Sequence, residues 1–362
     1  MADPRIQHYA RLLVERSIDP QPGAQIVVLS NFLARPLVEE VVRALGRRGA
    51  YPFVQISLGG EDLWPLETVW AEEAPVTAIA ERPPLRVALE DGIDGWIRIG
   101  APENTREGTG LEPEKKRALA KAGHPLVARR LAFDIPWVTC RFPTPALAQD
   151  AGMSLRDFED FLYGSVLLDW DALGREMQRV ADRFDHAEEV RIVGDGTDLR
   201  FSVAGREGVI DDGHVNLPGG EVFYCPVEDS TEGEVSFSEY PAVKEPEVVE
   251  GVSMRYEGGR VVDASARANE EALFEALDRD EGARVLGEFG IGCNPGIQRH
   301  MQNTLFDEKM DGTIHLAVGA GIPVAGGKNE SATHWDMVKD LRRGGRIECD
   351  GEVVQQDGKW TF

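Results

Sequence analysis

Gln25-Ile-Val-Val-Leu-Ser30 and Pro52-Phe-Val-Gln-Ile-Ser57 are two apolar stretches of strand length, and their spacing decides the fold of the first half of the chain. A turn over residues 20–23 precedes the first stretch, and a helical pattern over residues 36–48 separates the two. Strand, helix and strand in this order are typical of a crossover between parallel strands. The sequence therefore predicts an α/β layer with a mostly parallel sheet.

The same pattern extends on both sides of these strands. Residues 5–16 carry apolar groups at helical spacing, and Gly95-Trp-Ile-Arg-Ile-Gly100 predicts a further strand of the same layer. Residues 113–122 predict the helix that follows it. Two more helices are expected, one capped by Ser154 and one near residues 170–184.

From residue 188 the chain changes to short β-rich stretches separated by glycine and acidic turns, with one amphipathic helix over residues 269–280. The predicted strands cover residues 190–193, 198–203, 234–237 and 259–263. We therefore predict a boundary near residue 186. Residues 1–186 would form an N-terminal α/β domain with a mostly parallel sheet, and residues 187–362 an α+β C-terminal domain.

Composition excludes several classes of function. The 362 residues include 39 basic and 63 acidic side chains, so the net charge is −24, which argues against a nucleic-acid partner. No apolar run approaches the roughly 20 residues that cross a bilayer, so no membrane association is expected. The first residues lack the apolar stretch of a secretory signal, and the four cysteines are scattered and are expected to be buried thiols. A cytoplasmic location is the resulting prediction.

The balance of basic residues suggests a high-salt habitat. Only eight of the 39 basic residues are lysine, and a large acid excess with few lysines is typical of proteins from a saline cytoplasm. Salt screens the repulsion between the many carboxylates. We expect activity and melting temperature to rise with ionic strength, as measured across a salt series. A maximum of both at low ionic strength would contradict this hypothesis.

Familiar catalytic signatures are missing from the sequence. It contains no His-Glu-x-x-His, Gly-x-Ser-x-Gly, Gly-x-x-x-x-Gly-Lys-[Ser/Thr] or Gly-x-Gly-x-x-Gly motif. A zincin, a serine hydrolase, a P-loop enzyme and a Rossmann cofactor site therefore have no support.

Metal-competent side chains are instead dense between residues 221 and 336. His334 and Asp336 are two residues apart, which on an extended strand directs both to one face. Glu308 leads through a glycine turn to His315, while Glu221 and Glu288 lie among glycines, where backbone can approach an ion closely.

Each of these six side chains taken alone is more often a structural histidine or a solvated acid. Together, four carboxylates and two neutral imidazoles carry a charge that would neutralise two divalent cations about 3.5–4 Å apart. Without metal, four converging carboxylates would repel one another and raise their pKa values. The combined pattern therefore favours a two-metal site.

Four segments of this half, in this order, resemble the aminopeptidase T and S family of dinuclear metallopeptidases. They are Leu217-Pro-Gly-Gly-Glu-Val-Phe223, Leu286-Gly-Glu-Phe-Gly-Ile-Gly-Cys-Asn-Pro-Gly296, residues 305–319 and residues 326–336. The resemblance also reaches residues 141–154. It implies an N-terminal α/β domain, a metal-binding C-terminal domain, a homodimer and two divalent ions per chain, which would be zinc, cobalt or manganese. The ligands it implies are Glu221, Glu288, Glu308, His315, His334 and Asp336.

The resemblance further implies an aminopeptidase that removes the N-terminal residue of peptides with a free N-terminus, using water activated by two metals. Glu288 or Glu308 would be the acid/base, and Glu221 or Asp336 would bridge the ions. One position departs from the family, since Ile322 stands where many members have a tyrosine. If that phenol normally stabilises the oxyanion, the metals or another donor such as Tyr224 would have to replace it.

Two other interpretations remain open at this point. His315, His334 and Asp336 alone form a two-histidine, one-carboxylate set of the kind that binds non-haem Fe(II), and the dihydroxypyridine ring-cleaving dioxygenases resemble this family. The chain could also be a non-catalytic relative that binds only peptide or metal. The presence of Glu221, Glu288 and Glu308 favours the hydrolase, because a one-iron site does not need them.

Overall fold

The computed structural model describes residues 3–58, 67–107, 109–244 and 247–362. In chain order its helices are α1 (Pro4–Arg11), α2 (Arg35–Arg47), α3 (Glu67–Glu73), α4 (Val76–Ile79), α5 (Pro84–Asp91), α6 (Pro113–Leu131), α7 (Pro145–Asp150), α8 (Leu155–Val166), α9 (Trp170–Phe184), α10 (Glu270–Leu277) and α11 (Thr304–Asp307). Its strands are β1 (Gln25–Asn31), β2 (Tyr51–Ser57), β3 (Gly95–Gly100), β4 (Trp137–Arg141), β5 (Glu189–Gly194), β6 (Thr197–Ser202), β7 (Val209–Asp211), β8 (Asn216–Leu217), β9 (Glu221–Tyr224), β10 (Glu232–Phe237), β11 (Ala242–Lys244), β12 (Glu247–Val249), β13 (Val252–Glu257), β14 (Arg260–Ser265), β15 (Leu286–Gly292), β16 (Thr313–Gly319), β17 (His334–Asp340), β18 (Arg346–Cys349), β19 (Glu352–Gln356) and β20 (Lys359–Trp360).

The first half of the chain forms four strands of the predicted parallel layer, and β8 from the second half adds a fifth. Strands β2, β1, β3, β4 and β8 lie side by side in that order, and every pair runs parallel. The apolar run of β1 is buried from Ile26 onward, as expected for a strand covered on both faces. Val27, Leu29 and Trp96 pack in one core cluster with Leu126 of α6. The α/β prediction for this half is confirmed.

The helices follow the predicted pattern with shifted ends. α1 continues into a π-helix over Leu12–Ile18, so the helical pattern of residues 5–16 is confirmed. α6 extends to Leu131 with Pro125 inside it, beyond the end expected at residue 122. Ser154 caps α8, because its hydroxyl oxygen accepts a hydrogen bond from the Asp157 amide at 3.2 Å.

The second half is mostly antiparallel, as predicted for an α+β region. An eight-stranded sheet has the order β14-β13-β10-β6-β5-β18-β19-β20, and β11 pairs with β12. A five-stranded sheet has the order β17-β16-β15-β9-β7, in which every pair is antiparallel. Helix α9 packs on β7 and β9 of this second sheet. The predicted helix over residues 269–280 is shorter in the structure and ends at Leu277.

The chain divides into two compact units. Unit 1 comprises Met1–Leu167 and Gly213–Pro218, and unit 2 comprises Leu168–Asp212 and Gly219–Phe362. The short segment of unit 1 near residue 215 contains β8, which pairs with β4. The domain boundary near residue 186 stays a prediction.

Two expectations from composition can be compared with the structure. The four cysteines are free thiols and all are buried, and burial raises the pKa of Cys225 and of Cys349 to about 12. In the described part of the chain, no helix combines the length and the apolar character that a membrane span requires.

Candidate metal centre

Four neighbouring strands of the five-stranded sheet in unit 2 carry five of the six predicted ligands. Glu221 lies on β9, Glu288 on β15, His315 on β16, and His334 and Asp336 on β17. Cross-strand partners share a face of a sheet, and here Glu288 and Asp336 each lie opposite Ala317, while His334 lies opposite Gly319. The predicted common face for His334 and Asp336 is confirmed by this register.

The other face of the same strands is apolar and packs into the core of unit 2. Val222, Phe289, Ile291, Leu316 and Met337 are buried there, each at most 1% exposed. Phe184 of α9 packs against Phe289 with ring centroids 5.9 Å apart. Alternation along each strand therefore places packing residues on one side and polar ligands on the other, within a rigid sheet.

Glycines on the polar face make room for the ligands. Gly290 lies directly opposite His315, and a Cβ on Gly290 would lie 1.9 Å from Cε1 of that imidazole. Gly292, opposite Glu221, faces the Met310 carbonyl, to which a Cβ would come within 2.1 Å. The sequence analysis expected these glycines to let backbone approach an ion; in the structure Gly290 instead leaves the space that the His315 ring fills.

The ligands gather into two groups that share one carboxylate. Glu221, Glu288 and His315 form one group, and Glu288, His334 and Asp336 form the other, with one ligand atom from each residue within 4.8 Å of the rest. Oε1 of Glu288 lies 3.2 Å from His315 Nε2, and Oε2 lies 3.2 Å from His334 Nε2. Glu221 and Asp336 each belong to one group only. Glu288 is therefore the residue common to the two groups, while the bridging role expected for Glu221 or Asp336 stays a prediction.

Backbone carbonyls orient both imidazoles. His315 Nδ1 lies 2.9 Å from the Glu308 carbonyl oxygen, and His334 Nδ1 lies 2.8 Å from that of Ala320. A carbonyl can only accept, so each Nδ1 carries the proton and donates it. Each Nε2 is thereby directed at the carboxylates, which is the arrangement commonly found for metal-binding histidines.

The electrostatics of these side chains follow from burial and from the crowding of charge. Burial opposes a charged imidazole, but the hydrogen bond to Glu288 and the charges of Glu221 and Glu288 outweigh it and raise the pKa of His315 to about 10. Burial also raises the pKa of Glu221 to about 8. For Glu288 the effect of burial is exceeded by hydrogen bonds with both histidines, which lower its pKa to about 2.

The residues present fit a divalent cation. Glu221 Oε2 is buried, and within the described part of the chain it has no hydrogen-bond partner; His315 Nε2 is 3.6 Å away. A buried carboxylate oxygen in this position is costly unless a cation or donor satisfies it. Imidazole nitrogens with carboxylate oxygens form a donor set that suits zinc, cobalt and manganese. Five of the six predicted ligands thus surround positions where a cation would satisfy all of them.

Glu308 has a different position from the other predicted ligands, since it belongs to neither group. It follows α11, and its carboxylate accepts a hydrogen bond from the Lys309 ammonium while its carbonyl oxygen holds His315. The sequence analysis missed Lys309. That side chain is completely buried, with Nζ 3.1 Å from Glu221 Oε1, and the neighbouring carboxylates raise its pKa despite burial. Its position directly after the predicted ligand Glu308 in the sequence was the signal that could have identified it.

Tyr224 does not replace the missing family tyrosine. It alternates with Glu221 along β9 and so points to the apolar face, where its hydroxyl lies 2.9 Å from Asp185 Oδ1 and 3.1 Å from the Ala181 carbonyl oxygen. Ile322 is half-buried in the loop after β16, and its amide donates to Cys225 Sγ at 3.1 Å. The suggestion that Tyr224 stabilises an oxyanion is therefore wrong.

The geometry also bears on the iron-site interpretation. His315 and His334 fall into different groups, and the carboxylate of Glu288 lies between their two Nε2 atoms. A single iron held by His315, His334 and Asp336 would require these three side chains to converge on one point. The structure instead brings Glu221 and Glu288 into the same cluster.

Comparisons with known proteins identify the family and the fold of the chain. The family model described as thermophilic metalloprotease (M29) matches residues 2–360. Aminopeptidase 2 of Geobacillus stearothermophilus is 27% identical over 99% of this chain and 98% of its own. Aminopeptidase T of Thermus aquaticus is 30% identical over 73% and 74% of the two chains. The solved structure of wild-type AmpT from Thermus thermophilus shares the fold, with a TM-score of 0.84 and 23% identity over 99% of both chains.

Proposed function

Since the chain belongs to the thermophilic metalloprotease family (M29), we propose that it is a metal-dependent aminopeptidase, which hydrolyses the first peptide bond of a peptide with a free N-terminus. Its relatives of similar length are named aminopeptidases. The observation that carries the proposal is the sharing of Glu288 by two adjoining groups of ligands. Two adjoining cation positions suit the hydrolysis of an amide better than a one-metal redox reaction.

The finer part of the proposal is two divalent ions per chain. Glu221, Glu288 and His315 would hold one ion, and Glu288, His334 and Asp336 the other. Zinc, cobalt and manganese all accept such ligands. When bound, such a pair of ions polarises the scissile carbonyl and lowers the pKa of water.

The chain's own residues would orient the substrate and move protons. His334 is one-third exposed whereas His315 is buried, so we assign the side of the site at His334 to the entering peptide. Glu288 is engaged by an imidazole at each oxygen. Glu308 has only Oε1 in its ion pair with Lys309, and we therefore favour Oε2 of Glu308 to accept a proton from the attacking water and pass it to the leaving amine. Glu288 remains the alternative acid/base.

Two further properties come from the sequence alone. A homodimer is implied by the family resemblance, and a cytoplasmic location by the composition. Both stay predictions, and light scattering of the purified protein would measure the first.

Metal content per chain, together with turnover of an aminoacyl anilide, tests the proposed function. Protein purified without chelators is expected to contain two divalent ions per chain. Chelation should abolish release of the aniline product because the scissile carbonyl is no longer polarised by a metal, and returning zinc, cobalt or manganese should restore the release. Elemental analysis and a colorimetric assay provide these readouts.

Other outcomes of this experiment would identify the competing interpretations. One iron per chain, together with oxygen consumption when a dihydroxypyridine is added, would indicate that the protein is a dioxygenase. Two ions per chain without turnover of any aminoacyl anilide would indicate a non-catalytic metal-binding relative. In both cases the proposed function would be wrong.

A further inference from the structure

Lys309 places a permanent positive charge against one of the two ligand groups. Its side chain is completely buried, its Nζ is 3.1 Å from Glu221 Oε1, and it also pairs with Glu308. A buried ammonium is costly unless carboxylates surround it, so these two ion pairs hold it in place. One of the two oxygens of Glu221 is thus already bound to a cation that belongs to the chain.

In the part of the chain that the structure describes, the second ligand group has no ion-paired ammonium of this kind. Among the described residues, neither Glu288 nor Asp336 forms an ion pair with a lysine or an arginine. Lys244 interacts with Asp336 electrostatically, but within the described part of the chain the two form no ion pair, and its ammonium lies 5.3 Å from the centre of the Trp335 ring. The two groups share Glu288 but differ in the charge beside their other carboxylate.

We propose that Lys309 ranks the two metal positions. The first divalent ion binds Glu288, His334 and Asp336, and the second binds Glu221, Glu288 and His315 with lower affinity, because it shares Glu221 with a fixed ammonium. This inference rests on the proposed two-ion function. Because the second ion binds more weakly, it would dissociate first when the metal concentration falls. The concentration of free metal would then regulate the aminopeptidase activity.

Titration of chelator-stripped protein with Mn²⁺ measures this ranking directly. Calorimetry on the wild-type chain should resolve two events with dissociation constants that differ by about 10-fold or more, since a neighbouring charge acts strongly in a poorly solvated site. In Lys309→Met the weaker event should tighten by about 10- to 100-fold, because the repulsion is gone and both Glu221 oxygens can bind the ion. The stronger event should change little.

Lys339→Met is the matched control. Lys339 is also completely buried, and it pairs with Glu239 at 2.6 Å and with the Asp195 carbonyl oxygen at 2.8 Å, without an ion pair to any ligand. The Lys339→Met replacement should lower the melting temperature, while the ratio of the two dissociation constants stays at the wild-type value. If Lys309→Met lowered both affinities in proportion to its loss of stability, Lys309 would be merely structural and the proposal would be overturned.

A second measurement needs no variant and covers the case in which Lys309→Met fails to fold. Wild-type crystals grown with one equivalent of Mn²⁺ should give an anomalous peak beside His334 and a much weaker one beside His315. The reverse occupancy would overturn the ranking and leave the two-ion function intact. Fewer than two ions per wild-type chain at saturation would instead overturn the two-ion function and the ranking together.

Discussion

Replacing Glu288 by glutamine is expected to abolish aminopeptidase activity and to remove both metal ions. Glu288 is the one residue common to the two ligand groups, and each of its oxygens lies 3.2 Å from a different imidazole. The amide keeps the shape of the side chain but loses the negative charge and one acceptor oxygen. We expect kcat/KM to fall by at least about 1000-fold, equivalent to about 4 kcal/mol of transition-state stabilisation.

The matched control is Glu90→Gln. Glu90 is also buried, at 2% exposed, and it pairs with Arg82 and Arg86 in unit 1, whereas every candidate ligand belongs to unit 2. Its replacement should lower the melting temperature, because two guanidinium groups lose a partner, while metal content and kcat/KM stay near the wild-type values. If Glu288→Gln kept two ions per chain in elemental analysis, the shared role of Glu288 would be wrong.

Gly290→Ala is expected to disable the site without changing any ligand. The added methyl group would lie 1.9 Å from Cε1 and 2.0 Å from Nε2 of His315, so the imidazole must move. A misplacement of about 1 Å in a catalytic group can cost about 100-fold in rate, and we expect a loss of at least that size. The ion at Glu221, Glu288 and His315 should be lost, whereas Glu288, His334 and Asp336 should retain theirs.

Gly164→Ala separates this steric effect from the general cost of changing a glycine. Gly164 lies in α8, and a Cβ there would meet nothing within 4 Å. Alanine favours a helix over glycine by about 1 kcal/mol, so this control should be neutral or slightly more stable. Normal activity and two ions per chain in Gly290→Ala would show that the His315 ring can shift without consequence.

The sequence contained enough information for the layers of the fold and for much of the candidate site. The apolar run Gln25-Ile-Val-Val-Leu-Ser30 predicts a strand because it is short, rich in β-branched residues and preceded by a turn, as buried parallel strands are. The two-residue period of a strand was sufficient to put His334 and Asp336 on one face. These features are local, so they can be derived from residues a few positions apart.

The parts that could not be derived depend on strand order and register. Nothing in the spacing of Glu221, Glu288 and Asp336 says that β15 lies between β9 and β16, and this order is what gives Glu288 the shared position. The pairing of Lys309 with Glu221 joins a turn to a strand 88 positions earlier in the chain, as their numbers show (309 − 221 = 88). The space that Gly290 leaves for His315 also follows only from their register.

The position of β8 in the sequence affects how the chain folds during translation. Residues 216–217 complete the parallel sheet of unit 1 beside β4, yet the ribosome synthesises them after α9 and β5 to β7, which belong to unit 2. The sheet of unit 1 therefore lacks its last strand until part of unit 2 has already emerged. The two units therefore cannot fold strictly one after the other during translation. A cut of the chain between residues 168 and 212 would place β4 and β8 on different fragments.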